Sequence, residues 1–402
     1  MRSNPRQALT TIRERLTSTR ALLVLALLAV FVVGVEAGRL SIPNYTVDLP
    51  GPSPSAGDVF LRYPYLMQPR TDGVTIGWLT PTSVTSGTVR YSTGGRFGAP
   101  VKSETLAQAD GILQDVRLTG LRPGTPYEYE VASGNRTVRG HFRTLPEHGR
   151  IRFTAMGDFG GGTAAEVAVA QLMQQQDPDL FITLGDNTYE QGTLLEMDQN
   201  IFGQYRTFLS SHAAVWVLGN HDHTTERGLP TIQNFFMPGR DYSFDAGDVH
   251  FTILEGDGSR GYAPGGPYYD FLEKDLAAHA SAKWKFVFFH YPTYSCGQHG
   301  STPWVDQFWV PLFDRYGVDA VFNGHDHDYE RVVPDKAGVH YFVMGLGGKS
   351  QDAIRHDCSF QQVALNKFFG DLLVTVDGST AEVQAVQADG SPVDSVSWSK
   401  SS

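Results

Sequence analysis

Cysteine is nearly absent: Cys296 and Cys358 are the two in 402 residues. That excludes a disulfide-built scaffold and a cysteine-rich zinc site, so any metal must be held by His, Asp, Asn or Tyr. Positive charge is also scarce. Lys and Arg number 32 against 43 Asp and Glu, for a formal net charge of −11. Arg2, Arg6, Arg13, Arg15 and Arg20 all precede the first apolar run, so the remaining body is more acidic still. Such a body argues against nucleic-acid binding. Long helices are disfavoured, because 43 Gly and 22 Pro punctuate the chain. Apolar residues make up 41% of the chain, enough for a globular core, and the length suits two or three domains.

After the arginines, Ala21 to Val35 runs without a charge. A basic flank followed by an apolar run of this length reads as a secretory signal or a short signal anchor over 1–37. Val35-Glu36-Ala37 is a small-residue cleavage pattern. Cleavage would release the body; retention would attach it to a membrane through residues 21–37. Either way the expected location is secreted or extracytoplasmic, where a disulfide persists. Residues 38–57, with Pro43, Pro50, Pro52 and Pro54 and no helical or strand period, read as a Pro-rich linker. Asn44-Tyr45-Thr46 and Asn135-Arg136-Thr137 match the glycosylation sequon.

From Asp58 to about Thr144 the pattern is short strands. Val74, Ile76 and Trp78 alternate with polar neighbours, as do Tyr127, Tyr129 and Val131, the mark of half-buried strands. Turn clusters separate them, which suggests a β-sandwich. Leu121-Arg122-Pro123-Gly124-Thr125-Pro126-Tyr127 resembles the tyrosine-corner turn of fibronectin type III domains, a structural feature without chemistry.

From Arg150 the rhythm changes. Thr163 and Glu166 form a capping box for a helix over 163–176. Ile151–Ala155, Leu180–Leu184, Ala214–Leu218, Lys285–Phe289 and Ala320–Phe322 are short apolar runs. Each hands metal-competent groups to the next loop: Gly157-Asp158-Phe159-Gly160, Gly185-Asp186-Asn187-Thr188-Tyr189, Gly219-Asn220-His221-Asp222, His290, and Asn323-Gly324-His325-Asp326-His327. In α/β sheets, ligands bind in the crevice beyond the strand C-termini. Taken singly, a Gly-Asp is an ordinary turn and a lone His is more often packed than ligating. Five such endings at the same structural position act as one constellation.

The order GD-x-G, GD-x-x-Y, GNH, H, GH-x-H resembles the calcineurin-like metallophosphoesterases, and the Tyr of the second motif narrows it to the purple acid phosphatase branch. The resemblance implies an α/β metallophosphoesterase sandwich, two mixed β-sheets flanked by helices, over 148–398. A fibronectin type III-like β-sandwich over 58–147 would precede it, with Asp371–Val376 and Ala381–Val386 as a closing hairpin. It implies an exported acid phosphatase that hydrolyses small phosphate monoesters with a dinuclear centre and a metal-activated hydroxide. Carried over by position, Asp158, Tyr189 and His327 would bind Fe(III). Asn220, His290 and His325 would bind a divalent Fe, Zn or Mn, and Asp186 would bridge. His221 and His299 would face the substrate as proton donors, with Asp222 orienting His221. Separately from the resemblance, proximity in sequence suggests that Asp326, Asp328 and Arg331 fix the loop that carries the histidine pair.

The chemistry of the donors agrees. Asp158, Asp186 and Tyr189 offer three anionic oxygens, which suit a hard trivalent ion; two imidazoles and an amide suit a softer divalent one. One position departs from the family: Asp222 stands where many members have Glu, which shortens its reach toward His221. If the family fold holds, Cys296 and Cys358 border one crevice and would bond to each other, the other outcome being two free thiols. Two further functions stay open. A phosphodiesterase or nucleotide hydrolase would use the same site, with choice made by rim loops such as Gly256–Tyr269. An inert cell-surface binding module would normally have lost ligands.

Overall fold

The computed structural model describes residues 39–42, 45–48, 58–256, 261–332, 338–355 and 357–400. The expected export segment (1–37), the Asn44 sequon and part of the 256–269 loop lie outside them. The linker expected over 38–57 is not without pairing. Arg39–Ile42 and Tyr45–Asp48 form an antiparallel ladder with Leu40 opposite Val47 and Ile42 opposite Tyr45. Branched and aromatic residues at alternate positions supply a strand preference that the surrounding prolines conceal. This hairpin belongs to a unit of its own. Among the described residues no helix is long and apolar enough to cross a membrane.

From Arg62 to Arg143 the regular structure is all strand. Arg62–Met67, Val74–Thr80, Ile112–Leu118 and Glu104–Ala107 lie side by side in one sheet. Arg136–Arg143, Pro126–Ser133, Gly87–Ser92 and Val101–Lys102 form another. Ile76, Trp78, Val89, Val131 and Phe142 pack within one buried core. The Tyr127 hydroxyl accepts from the Arg122 amide at 2.9 Å, the tie expected of a tyrosine corner. Val74–Thr80 departs from the half-buried expectation, since all seven residues are buried. Its second face is covered by residues far along the chain: a Cβ on Gly77 would strike the Phe236 ring.

The part from Ile151 onward is built on two facing sheets, one of them continuous with the first sheet above. Strands β1 (Ile151–Met156), β2 (Leu180–Thr183) and β3 (Ala214–Val215) are parallel neighbours. Gly370–Asp377 pairs antiparallel with the other edge of β1, and Thr380–Gln387 and Pro392–Ser399 follow outward. The expected closing hairpin is therefore the first two of three antiparallel strands. On its far side β3 meets Arg62–Met67 through the pairing of Ala214 with Met67, so one ten-stranded sheet runs through both parts.

The facing sheet contains β4 (Val249–Ile253), β5 (Trp284–Phe288), β6 (Ala320–Asn323), β7 (Tyr329–Val332) and β8 (His340–Met344). Of these β4, β5, β6 and β8 are parallel in that spatial order, and β7 is antiparallel to β8. Phe153 meets Phe251, Phe288 and Phe322 edge-on at 5.5 to 6.1 Å between the sheets. Buried aromatic contacts of this kind lock the sheets face to face. Helix α1 (Ala164–Gln176) follows β1, capped by Thr163, whose Oγ1 accepts from the Glu166 amide at 3.1 Å. The Glu166 carboxylate accepts from the Gly162 amide at 2.8 Å, one residue before the cap. Burial pushes that carboxyl well above its usual range.

Candidate metal centre

Asp158 follows β1, Asp186 and Tyr189 follow β2, Asn220 follows β3, His290 follows β5, and His325 and His327 follow β6. All seven side chains meet in one crevice, in two groups. The Tyr189 hydroxyl lies 3.0 Å from Asp158 Oδ1, 3.0 Å from Asp186 Oδ2 and 3.1 Å from His327 Nε2. His290 Nε2 lies 3.1 Å from Asn220 Oδ1, 3.2 Å from His325 Nδ1 and 3.4 Å from Asp186 Oδ1. Asp186 belongs to both groups, with one oxygen in each.

The backbone is bent to achieve this. Asp158, Asp186 and His325 have φ of 60°, 50° and 74°, the left-handed region that side chains other than glycine rarely enter. Such strain, of order 1–3 kcal/mol per residue, persists where the surroundings impose it and gathers at functional sites. The motif glycines serve close approach. A Cβ on Gly219 would strike Asp186, and one on Gly324 would lie 2.6 Å from Asp158 Oδ2.

Protons alone do not satisfy these atoms. A hydroxyl carries one hydrogen, so Tyr189 can donate to one of the three acceptors around it. His290 Nδ1 lies 2.8 Å from the Leu184 carbonyl and donates to it, so Nε2 is the nitrogen turned toward an amide oxygen, a carboxylate oxygen and another imidazole. His327 Nδ1 lies 2.5 Å from Ser350 Oγ, which holds the ring with Nε2 facing Tyr189 and Asp158. Carboxylate and phenol oxygens and ring nitrogens crowded this closely suit a cation within each group.

The same carboxylates call for positive charge: burial opposes charge on His290, yet Asp186 and Asp158 outweigh it and push the ring up to about 9, and an ion bound at Nε2 would replace that proton. Burial and the charges of His290 and His299 push His325 down to about 2. Burial and the two aspartates hold the Tyr189 hydroxyl well above its ordinary range, so a strongly polarising ion is needed to make it a phenolate. The donor set fits two cations that share Asp186.

His221 and His299 border the crevice from opposite groups. The His221 ring lies 4.4 Å from that of Tyr189, its Nδ1 2.8 Å from the Glu190 carbonyl and its Nε2 3.9 Å from Asp186 Oδ2. The exposed His299 ring lies 4.3 Å from that of His325. Asp222 departs from the expected role, because it does not touch the His221 ring. Its Oδ2 accepts from the Gly219 amide at 2.8 Å, the Asn187 side chain at 2.8 Å and the Asn187 amide at 3.2 Å. The short turn over Asp222–Thr224 buries the carboxylate while His221 stays at the mouth, so Asp222 clamps the loops after β2 and β3 together. Burial and the Asp186 charge push its carboxyl up to about 7.

Arg331 also departs from expectation: it pairs with Asp394 at 2.6 Å and Gln362 at 2.8 Å, on the C-terminal strand side. Asp328 is fully buried, with neither carboxyl oxygen hydrogen-bonded. Cys296 and Cys358 are bonded, with Cα atoms 6.1 Å apart. Sequence reasoning missed Ser350, which orients His327, and the Lys349–Glu190 ion pair, whose ammonium lies 4.5 Å from the Tyr189 ring centroid. Gly345-Leu346-Gly347-Gly348 after β8 was the available signal, a sixth apolar strand ending in glycine. Ser and Lys are not metal-ligand types, so it pointed to nothing.

The chain matches the family model of the calcineurin-like phosphoesterases over residues 151–329 and that of the purple acid phosphatase N-terminal domain over residues 64–144. It is 27% identical over 366 residues to purple acid phosphatase 15 of Arabidopsis thaliana, covering 71% of this chain and 68% of that protein. It is 25% identical over 406 residues to the Fe(3+)-Zn(2+) purple acid phosphatase 12 of the same plant, covering 84% of each. Its fold is similar to that of a purple acid phosphatase from yellow lupin (Lupinus luteus) seeds, with a TM-score of 0.74 and 22% identity over 85% of this chain and 75% of that one. With two sheets, a preceding β-rich domain and a dinuclear metal centre, the chain belongs to the purple acid phosphatase branch of the calcineurin-like phosphoesterases.

Proposed function

We propose that the protein is an acid phosphatase acting on small phosphate monoesters. Residues 148–398 carry the chemistry and 58–147 support them. Asp158, Tyr189 and His327 would hold Fe(III), Asn220, His290 and His325 would hold a divalent Fe, Zn or Mn, and Asp186 would serve both. The observation that carries this reading is the division of Asp186, one oxygen toward Tyr189 and the other toward His290. Three oxygens around one position and two imidazoles around the other match a hard and a softer ion.

Two such ions supply an activated water and neutralise the charge that builds on the phosphoryl oxygens. The chain's own groups do the rest. The Leu184 carbonyl keeps a proton on His290 Nδ1 and Ser350 holds the His327 ring, so that both turn Nε2 into the crevice. His221, held by the Glu190 carbonyl, and His299 stand on either side of the paired groups, where each can reach the ester and hand a proton to the leaving oxygen. Exposure outside the cytoplasm is part of the proposal, supported by the Cys296–Cys358 bond and the apolar run over 21–35.

The test is turnover of aryl and alkyl monoesters, diesters and nucleotides at acid pH, alongside metal analysis of the same preparation. Monoester turnover that disappears on chelation is expected. Protein holding two ions and turning over no phosphate ester would overturn the reading.

A further inference from the structure

Asp326 lies between the two histidines of Gly324-His325-Asp326-His327, yet its carboxylate serves another loop. Oδ1 accepts from the His299 amide at 2.6 Å. Oδ2 accepts from the Gly300 amide at 3.1 Å and lies 2.5 Å from the Ser295 hydroxyl. Glu330, on β7, takes the neighbouring donors: its Oε1 accepts from the Cys296 amide at 2.7 Å and the Gly297 amide at 3.1 Å, and lies 2.7 Å from Ser295 Oγ. Both carboxylates are fully buried. The segment 295–300 has no ladder or helix to satisfy its amides, and buried amides must find partners. Two carboxylates supply them. Fit is tight as well, since a Cβ on Gly297 would strike the Asp326 carboxyl.

We infer that Asp326 is a positioning residue for His299, and that Glu330 assists it through Ser295. The inference rests on the reading of the crevice as a phosphatase centre. The chain turns tightly at the first histidine: His325 has a left-handed φ of 74° and the Asp326 amide donates to the Gly324 carbonyl at 3.0 Å. One short stretch thus sends His325 and His327 to the crevice and Asp326 to the loop that carries the substrate-facing His299. Both oxygens of Asp326 are engaged by the loop. Removing the carboxylate strands two amides and frees His299 to drift, and displacement of a reacting group by about 1 Å can lower rate roughly a hundredfold.

A double-mutant cycle on the full-length, metal-loaded protein with an aryl phosphate tests this. His299→Ala should lower kcat/KM by roughly a hundredfold. Asp326→Ala should lower it by at least about tenfold, divided between kcat and KM as in His299→Ala. The double variant should fall within about twofold of His299→Ala alone, because coupled residues are not additive. Two ions per chain should remain throughout. Ser295→Ala, a gentler change in case Asp326→Ala fails to fold, should give a smaller loss that vanishes when His299 is already Ala. Losses that multiply in the double variant, ions lost on Asp326→Ala, or an unaffected His299→Ala would each overturn the inference while wild-type activity leaves the phosphatase reading standing. Wild-type protein without turnover would instead remove the reading itself.

Discussion

Among the described residues, two of the clusters of histidine and aspartate set similar side chains to opposite ends. In the crevice, His290 Nε2 faces an amide oxygen, a carboxylate oxygen and a ring nitrogen, and the Tyr189 hydroxyl faces two carboxylate oxygens and another ring nitrogen. At the far side of the second sheet, Asp245, His250, Asp275 and His279 also crowd together. There His250 Nδ1 meets Asp245 Oδ1 at 2.7 Å and Nε2 meets Asp275 Oδ2 at 3.0 Å. Ser243 and Thr252 donate to Asp275 at 2.6 and 2.8 Å. The His250 and His279 rings lie stacked, 3.7 Å apart and 15° from parallel. Ring lone pairs lie in the ring plane, so stacked rings cannot aim both at one ion. The first cluster is arranged for cations and the second for protons. Residue type alone does not make a metal site; the directions of the lone pairs do.

That contrast can be attacked at several points. The largest effect is expected from Asp186→Asn, which weakens both ion positions at once: activity should fall roughly a thousandfold or more, a barrier increase of about 4 kcal/mol. Measured stoichiometry should drop below two ions per chain. Full activity with both ions retained would break the claim that Asp186 is shared.

Tyr189→Phe should abolish visible absorption from phenolate-to-iron charge transfer, read in the spectrum of the purified protein. A colourless wild-type enzyme containing Zn or Mn alone would refute the iron assignment and leave the hydrolase intact. Ser350→Ala removes the partner that holds the His327 ring, and should weaken the ion at that position by about 10–100-fold in a metal titration. No change in affinity would mean that packing, rather than Ser350, orients His327.

The smallest effect belongs to the other cluster. Burial disfavours the His250 cation, but hydrogen bonds and charge from Asp245 and Asp275 outweigh it and hold the ring above its ordinary 6.5. The same interactions hold Asp245 and Asp275 below the usual carboxylate range. A raised histidine contributes stability fully below its unfolded value, and loses it as pH rises through the folded one. The lowered carboxylates contribute above about 4 and lose it in acid. His250→Gln should therefore cost about 1–3 kcal/mol near pH 5.5, from hydrogen bonds to charged groups, with the gap to wild type narrowing toward pH 9. Activity and metal content should not move. A lost ion in that variant would show that the second cluster is a metal site after all.

The seven donor residues were legible because each follows a short apolar run, and the end of a parallel strand is where a sheet can aim a group into a crevice. Tyr127 and the disulfide were legible for similar reasons, through a turn motif and the family resemblance. The roles of Asp222, Asp326 and Arg331 were not. Each lies within four residues of a site residue in the chain, and nearness suggested service to that residue or its loop. Short turns and strand alternation send these side chains elsewhere: Asp222 to Gly219 and Asn187, Asp326 to the His299 loop, Arg331 to Asp394.

The amino-acid order by itself determined which atoms could bind metal, since donor chemistry and strand-end position are local properties. Partnership across long separations was decided only by the packed sheets. Asp186 with His290, Ser350 with His327 and Asp326 with His299 are distant in sequence, and which lone pair faces which proton is set by three-dimensional angles that no spacing of letters contains.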